Sequence, residues 1–309
     1  MSVIAALTST TACAFGDVFA VLQDTAGDAS VVVYNATGEV KATSPLRWNF
    51  RWPVTEATVN TLKKQVSVIT FPNPTAHATL FTFDFGLGAP ANTQVSTNFS
   101  YFDLQFCPSQ NTYYGIAVSS AYGRVISKFS DFNEPVVHTP ILALPYMWYV
   151  NASTFDYQNS RYYSLINNFP GFPNSTTEQQ LAIGHFAEPT PRVEIVKMAL
   201  PGTDILIRFI AFSNPTKRLF GIANLADGST AILEMEPHLG KYTIRATFPN
   251  TIAQPMYASV KTPTLHFFAL NTATNQRDFI HVDIGTWFSR VVRSFAPDNQ
   301  RVVAVADLE

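Results

Sequence analysis

Charged side chains are scarce in this sequence. They account for 14% of its 309 residues, compared with roughly 25% in an ordinary soluble domain. Lys and Arg total 20 and Asp and Glu total 22, which gives a net charge of -2, and no basic stripe stands out. Because proteins bind phosphate backbones through concentrated Lys and Arg, nucleic acid is not an expected partner.

Long hydrophobic runs are also lacking. No apolar run approaches the roughly 20 residues that a membrane helix needs, so membrane insertion is not expected. The first residues, MSVIAALTSTTACAF, contain no Lys or Arg, and the stretch from Thr8 to Thr11 interrupts their apolar run. They resemble a signal peptide poorly, which favours a cytoplasmic location over secretion.

Motifs of the common catalytic classes are absent as well. The sequence has no Gly-x-Ser-x-Gly, no HExxH and no glycine loop of the kind that cradles phosphate. Its six histidines are scattered, so a zinc site has no support. The sequence therefore favours a non-catalytic role and leaves an enzymatic one open.

A repeated signature is what the chain does contain. The signature is an aromatic or β-branched pair followed by a small residue and an aliphatic residue. It begins seven residues after an apolar or threonine residue, which we call the anchor. The clearest copies are Tyr113–Ile116, Tyr162–Leu165, Leu219–Ile222 and Phe267–Leu270, and the weaker ones are Val18–Val21 and Val66–Ile69. The anchors are Thr11, Val59, Phe106, Phe155, Phe212 and Val260, at spacings of 48, 47, 49, 57 and 48 residues. A fixed period near 50 residues is typical of propellers and solenoids.

Each repeat has the pattern of four short antiparallel strands. In the fifth repeat these are residues 204–212, 218–224, 229–236 and 241–248, separated by turn residues. Six such sets predict an all-β, six-bladed β-propeller in one domain, 1–309, although an up-and-down barrel or a sandwich is an alternative. The repeat units are approximately 1–49, 50–99, 100–144, 145–202, 203–253 and 254–309.

The C-terminus carries a seventh inner-strand pattern. It covers Arg301 to Leu308, and Leu308 lies 48 residues after Val260, where the next anchor is expected. This strand would complete the first blade and close the ring, while residues 2–8 would compete for that place or add an outer strand. A truncated seven-bladed ring is the other arrangement, but it would leave an open sheet edge.

The two cysteines occupy similar turns two repeats apart. Cys13 and Cys107 follow their anchors by two and one residues. Equivalent turns on non-adjacent blades should lie farther apart than the roughly 7 Å that a disulfide allows. Two unpaired thiols are therefore expected, which also favours a reducing compartment.

At the level of fold, the repeats resemble six-bladed propellers of the NHL-repeat and gluconolactonase-like groups. The resemblance spans the whole chain, but the aspartate-box, kelch and WD signatures are absent. It therefore implies an architecture and no specific family, and propellers of one architecture serve unrelated functions.

Connections from the outer strand of one blade to the inner strand of the next should gather at one mouth of the channel. These connections carry aromatic, arginine and asparagine residues, which together suit a sugar or an extended peptide. The predicted ligand-binding residues are Arg47, Trp48, Asn49, Arg51, Trp52, Tyr101, Trp148, Tyr149 and Tyr257. We expect a lectin-like recognition module for carbohydrate or peptide. If these aromatic rings only fill the channel opening or pack between neighbouring blades, the protein is a structural interaction scaffold instead.

A pair of carboxylates gives a rival interpretation. Glu56 and Asp103 each precede their anchor by three residues, so they should occupy equivalent inner-strand positions. Their oxygens could hold Ca²⁺, the one cofactor that these residue types suggest. The resemblance to gluconolactonase-like propellers implies a metal-dependent hydrolase or lactonase in that case. The alternative is that both carboxylates are simply solvated in a water-filled channel and have no function.

Overall fold

The structure is a computed structural model. It describes residues 16–26, 28–43, 48–49, 57–70, 79–85, 87, 91–94, 100–101, 104–119, 123–129, 138–144, 148–168, 179–187, 190–198, 206–296 and 300–308. These residues form β-strands, together with one short 3₁₀ helix at Pro108–Gln110. None of the helical structure in these ranges is long and apolar enough to cross a membrane.

The strands group into six blades. Blade 1 contains β1 (Val18–Asp24), β2 (Asp28–Tyr34), β3 (Val40–Thr43) and β4 (Trp48–Asn49). Blade 2 contains β5 (Ala57–Asn60), β6 (Gln65–Thr70), β7 (Thr79–Asp84) and β8 (Ala91–Gln94). Blade 3 contains β9 (Ser100–Tyr101), β10 (Gln105–Cys107), β11 (Thr112–Ser119), β12 (Gly123–Phe129) and β13 (His138–Leu144). Blade 4 contains β14 (Trp148–Asp156), β15 (Arg161–Asn168), β16 (Gln179–His185) and β17 (Arg192–Lys197). Blade 5 contains β18 (Leu206–Ser213), β19 (Arg218–Asn224), β20 (Thr230–Glu236) and β21 (Lys241–Phe248). Blade 6 contains β22 (Thr251–Ala258), β23 (Thr264–Asn271), β24 (Gln276–Asp283) and β25 (Ser289–Phe295), and β26 (Gln300–Asp307) returns to blade 1.

The blades form a closed ring around a central axis. In blades 2, 4, 5 and 6 the strands pair antiparallel in sequence order, from an innermost to an outermost strand. In blade 1 the innermost strand is β26 and β4 pairs with β2, and in blade 3 β9 pairs with β11. The innermost strands contact one another around the ring in the order β5, β10, β14, β18, β22, β26 and again β5. This arrangement is the predicted six-bladed β-propeller.

The C-terminal strand closes the ring, as the repeat spacing predicts. β26 pairs antiparallel with β1, from Val18 opposite Asp307 to Asp24 opposite Gln300. The Leu308 backbone N–H extends this pairing by donating to the Asp17 carbonyl at 2.9 Å. Blade 1 therefore takes its inner strand from the far end of the chain, which removes an open sheet edge. Residues 2–8 lie outside the described residues.

The repeated signature forms the hydrophobic core between neighbouring blades. In blade 5, Phe220 and Ile222 of the second strand are fully buried and pack against Leu265 and Phe267 of blade 6. A second strand is covered by a blade on each face, so it is apolar almost throughout. Outer strands such as β21 instead alternate between half-buried and exposed residues.

Outer strands are also where the predicted bounds are wrong. The fourth strand of blade 3, predicted at 135–139, is β13 (His138–Leu144). That of blade 2, predicted at 93–99, begins earlier, at Ala91 of β8 (Ala91–Gln94), and residues 95–99 lie outside the described residues. Outer strands bury less apolar surface, so their sequence pattern is weaker.

Cys107 is a free, buried thiol at the end of β10. Its sulfur lies 3.2 Å from the Ser109 hydroxyl. Cys13 lies outside the described residues.

Candidate functional site

Strand register places five of the predicted binding residues at one rim of the ring, which we call the mouth. The mouth is the rim where inner strands begin and outer strands end. Trp48 and Asn49 continue the outer edge of blade 1, opposite Ala29 and Asp28. Tyr101, Trp148 and Tyr149 stand where the inner strands of blades 3 and 4 begin.

For these five residues the structure describes the position of the backbone and not that of the side chains. Arg47, Arg51 and Trp52 lie outside the described residues. Their place at the mouth therefore stays a prediction from the sequence.

Tyr257 does not lie at the mouth, although it was predicted there. It is the seventh of eight residues in inner strand β22, near the end that points away from the mouth. Its ring is buried and stacks on His266 with centroids 5.0 Å apart. Counting from the anchor would have revealed this, since Tyr257 precedes Val260 by three residues, as Glu56 precedes Val59.

The position three residues before the anchor lies along the central channel in several blades. Phe209, Tyr257 and Val305 occupy it in blades 5, 6 and 1, and all three line the channel. None of them carries a carboxylate. Glu56 and Asp103 lie outside the described residues, and in the described part of the chain no group of three His, Cys, Asp or Glu residues could hold a metal ion.

The described channel is narrow and partly polar. Its cavity volume is about 110 Å³, below the roughly 300–1,000 Å³ of ordinary small-molecule pockets. Thr58, Gln105, Thr154 and Asp307, each one residue before its anchor, line it. Several ordered waters could fill this volume, so a larger ligand would have to bind at one end of the ring.

Two ionisable groups meet near the channel end that points away from the mouth. The Asp307 carboxylate accepts the Val260 backbone N–H at 3.1 Å, which joins blades 1 and 6. Burial raises the pKa of Tyr157 to about 12, and the negative charge of Asp307 acts in the same direction. The Tyr157 hydroxyl therefore stays protonated at neutral pH.

A pair of histidines is buried in blade 6. His266 and His281 face each other on β23 and β24, with ring centroids 5.0 Å apart. Burial lowers the pKa of His266 to about 3 and that of His281 to about 4, and the positive charge of Arg290 contributes to both shifts. Both imidazoles are therefore neutral at neutral pH and pack as core groups.

A groove between blades 4 and 5 was not predicted. It opens on the face opposite the mouth, between the turns that join first to second strands and third to fourth strands, and its cavity volume is about 490 Å³. Its floor contains the rings of Tyr163 and Phe212, stacked with centroids 5.5 Å apart. This volume falls within the range of ordinary ligand sites.

Basic side chains dominate one wall of this blade 4–5 groove. Lys217 lies in the turn between the first and second strands of blade 5, and Arg161 and Arg218 begin the second strands β15 and β19. Burial raises the pKa of Tyr163, while a hydrogen bond from Arg161 opposes that shift. In the sequence, each of these residues resembles an ordinary polar residue in or beside a turn. Only the packing of blades 4 and 5 brings them together in one groove.

Two acidic residues, Asp156 and Glu236, also line this groove, and Glu194 contacts a residue of its wall. Asp156 accepts the backbone N–H groups of Gln158 and Asn159 at 3.1 and 3.2 Å. Glu194 contacts His238 of the opposite wall, with an Nδ1–Oε2 distance of 3.2 Å. The negative charges of Asp156 and Glu194 are therefore partly offset within the protein, whereas the Glu236 side chain is exposed.

No protein-family model matches the sequence, and no curated protein matches it. Solved structures do match its fold. One is a chain of a nidogen–laminin complex, with a TM-score of 0.61 and 10% identity over 94% of this chain and 97% of that one. TolB from Acinetobacter baumannii has a TM-score of 0.60 and 10% identity over 94% and 67%. The periplasmic gluconolactonase of Pseudomonas aeruginosa has a TM-score of 0.52 and 10% identity over 93% and 99%.

The match is one of fold alone. At about 10% identity these structures support the predicted likeness to gluconolactonase-like propellers as architecture. They transfer no activity to this chain, since propellers of the same architecture serve different functions.

Proposed function

We propose that this protein is a non-catalytic recognition module that binds an extended ligand, either a peptide or a carbohydrate, at the mouth of the propeller. The observation that carries the proposal is the register of Trp48, Asn49, Tyr101, Trp148 and Tyr149, whose backbones lie at one rim of the ring. Aromatic rings at such a rim would stack on apolar faces of a ligand, and amide groups would supply hydrogen bonds.

Two further observations support a ligand at the mouth. The described channel is too narrow for an ordinary small-molecule ligand, which favours binding across the rim. One structural neighbour comes from a nidogen–laminin complex, so a propeller of this shape occurs within a protein–protein assembly. Neither observation distinguishes peptide from carbohydrate.

Tryptophan fluorescence with a glycan array and a peptide array tests the proposal. A ligand selected from either array should shift the emission of the wild-type protein, and Trp48→Ala or Trp148→Ala should weaken binding about tenfold or more. Trp287→Phe is the matched control because Trp287 lies in the turn between β24 and β25, away from the mouth. Absence of any ligand, or equal loss in the control, would contradict the proposal.

Metal analysis of the purified protein separates this proposal from a metal-dependent hydrolase. A recognition module should contain no stoichiometric metal. Stoichiometric Ca²⁺ that is lost in Glu56→Gln or Asp103→Asn would favour the hydrolase instead.

A further inference from the structure

The blade 4–5 groove combines an apolar floor with a basic wall. Tyr163, Phe212 and Met235 supply buried apolar surface at its base. Leu239 stands on the rim with 61% of its surface exposed, which extends the apolar area outward. Leu239 thus adds an exposed apolar side chain beside a floor that the protein itself buries.

The charges of the groove select the chemistry of its occupant. Arg161, Lys217 and Arg218 place three positive charges on the wall formed by the turns of blades 4 and 5. Glu234 contacts Arg218, but it also contacts Arg245, with Nε–O distances of 3.5 and 2.7 Å. One carboxylate is thus shared between two guanidinium groups. Asp156 and Glu236 also line the groove, so three positive and two negative side chains leave its lining with a net charge of +1, which favours a negatively charged partner.

The shape of the groove favours an extended chain. Three turns, 156–161, 213–218 and 236–241, border it, and a strand-like segment could lie between them. Successive side chains of an extended peptide point in opposite directions. One set could then pack on Tyr163 and Phe212 while the other set reaches the basic wall.

We propose that the blade 4–5 groove is a second binding site, which takes an extended peptide segment of a partner protein with alternating acidic and apolar side chains. This site lies on the face opposite the mouth and does not depend on the function proposed there. Acidic side chains pair with Arg161, Lys217 and Arg218, and apolar side chains contact the groove floor and Leu239.

Fluorescence anisotropy with a labelled peptide tests this proposal. The probe is the octapeptide Asp-Leu-Glu-Phe-Asp-Leu-Glu-Phe, and its two controls replace either the acidic residues with Asn and Gln or the apolar residues with Ser. The acidic, apolar peptide should bind at least about tenfold more tightly than either control. Its affinity should fall as salt is raised, because the charged contacts are exposed.

The chain offers matched control variants for both halves of the groove. Lys217 and Lys64 occupy the same left-handed turn position in blades 5 and 2, with φ of 59° and 53°. Lys217→Glu should weaken peptide binding about tenfold, while Lys64→Glu should change it less than about twofold. Leu239→Ser should weaken binding severalfold, compared with Leu62→Ser, whose leucine is 59% exposed in blade 2.

Several outcomes would overturn the proposal. These are equal losses in Lys217→Glu and Lys64→Glu, equal binding of the neutral peptide, and no binding of the probe to a folded wild-type protein. Tighter binding of a sulfated oligosaccharide than of the peptide would overturn the peptide assignment. Trp148→Ala should leave peptide binding in the groove unchanged, so failure at the mouth and failure in the groove remain distinguishable.

Discussion

Trp287 occupies a left-handed backbone conformation that blades 1 and 5 give to glycine and blade 2 gives to Leu87. The turn between third and fourth strands contains Gly38 in blade 1 and Gly240 in blade 5, with φ of 76° and 63°. In blade 6 the corresponding turn contains Trp287, with φ of 58°. A side chain in this left-handed region costs roughly 1–2 kcal/mol. Its ring packs edge-on against Phe220, with centroids 5.8 Å apart, and beneath the Arg245 guanidinium, which offsets the cost.

Replacing Trp287 with glycine or alanine should separate backbone strain from ring packing. Both variants lose the ring, but only glycine relieves the strained φ. We expect Trp287→Gly to be more stable than Trp287→Ala by about 0.5–1 kcal/mol, the reverse of the usual order inside regular structure. Urea denaturation measures the difference. An alanine variant as stable as the glycine variant would show that this φ carries no strain.

At the scale of the blade, the residue before the anchor joins neighbouring blades in blades 2 and 4. Thr58 Oγ1 accepts the backbone N–H of Phe106, the anchor of the next blade, at 2.9 Å. Thr154 Oγ1 accepts that of the anchor Phe212, also at 2.9 Å. Blades 2 and 4 therefore both use a threonine hydroxyl oxygen at this position. It accepts an inner-strand N–H that faces the channel, where no further strand could accept it.

Loss of one such oxygen should destabilise the ring. Thr58→Val keeps the shape of the side chain but leaves the buried Phe106 N–H without its acceptor, so we expect a loss of about 1–3 kcal/mol in the free energy of unfolding. Thr58→Ser retains the hydroxyl and should lose less. Thr243→Val, at an exposed position of β21, should stay within about 0.5 kcal/mol of wild type. Similar urea midpoints for Thr58→Val and Thr243→Val would refute this role.

Across the whole molecule, stability depends on the join between the chain ends. β26 supplies the inner strand of blade 1 and buries Val302 and Ala304 against its neighbours. Without it, β1 would present an open edge, and the ring would lose the contacts from β26 to β5 and β22.

A chain lacking residues 300–309 should therefore be unstable and prone to aggregate. A synthetic peptide of residues 299–309 should restore its thermal unfolding transition, because the peptide can pair with β1. A peptide of the same composition in scrambled order is the control. A truncated chain that melts like the full-length protein would show that β26 does not close the ring.

Much of the fold was predictable from the sequence because each blade repeats the same local pattern. Phe220 and Phe267 follow their anchors by similar intervals, and both are fully buried between blades. The candidate site was less predictable. Tyr257 was assigned to a connection by its place between repeats, but it lies in a strand and packs on His266.

The sequence alone determines the period, the strand pattern and the strand that closes the ring at Leu308, since these follow from local alternation and chain spacing. Only the tertiary structure decides which side chains of different blades meet. Arg161 and Lys217 lie 56 residues apart in the chain, yet they border one groove. The reason is physical: alternation within a strand reports which residues are buried, whereas contact between turns depends on how two packed sheets are oriented.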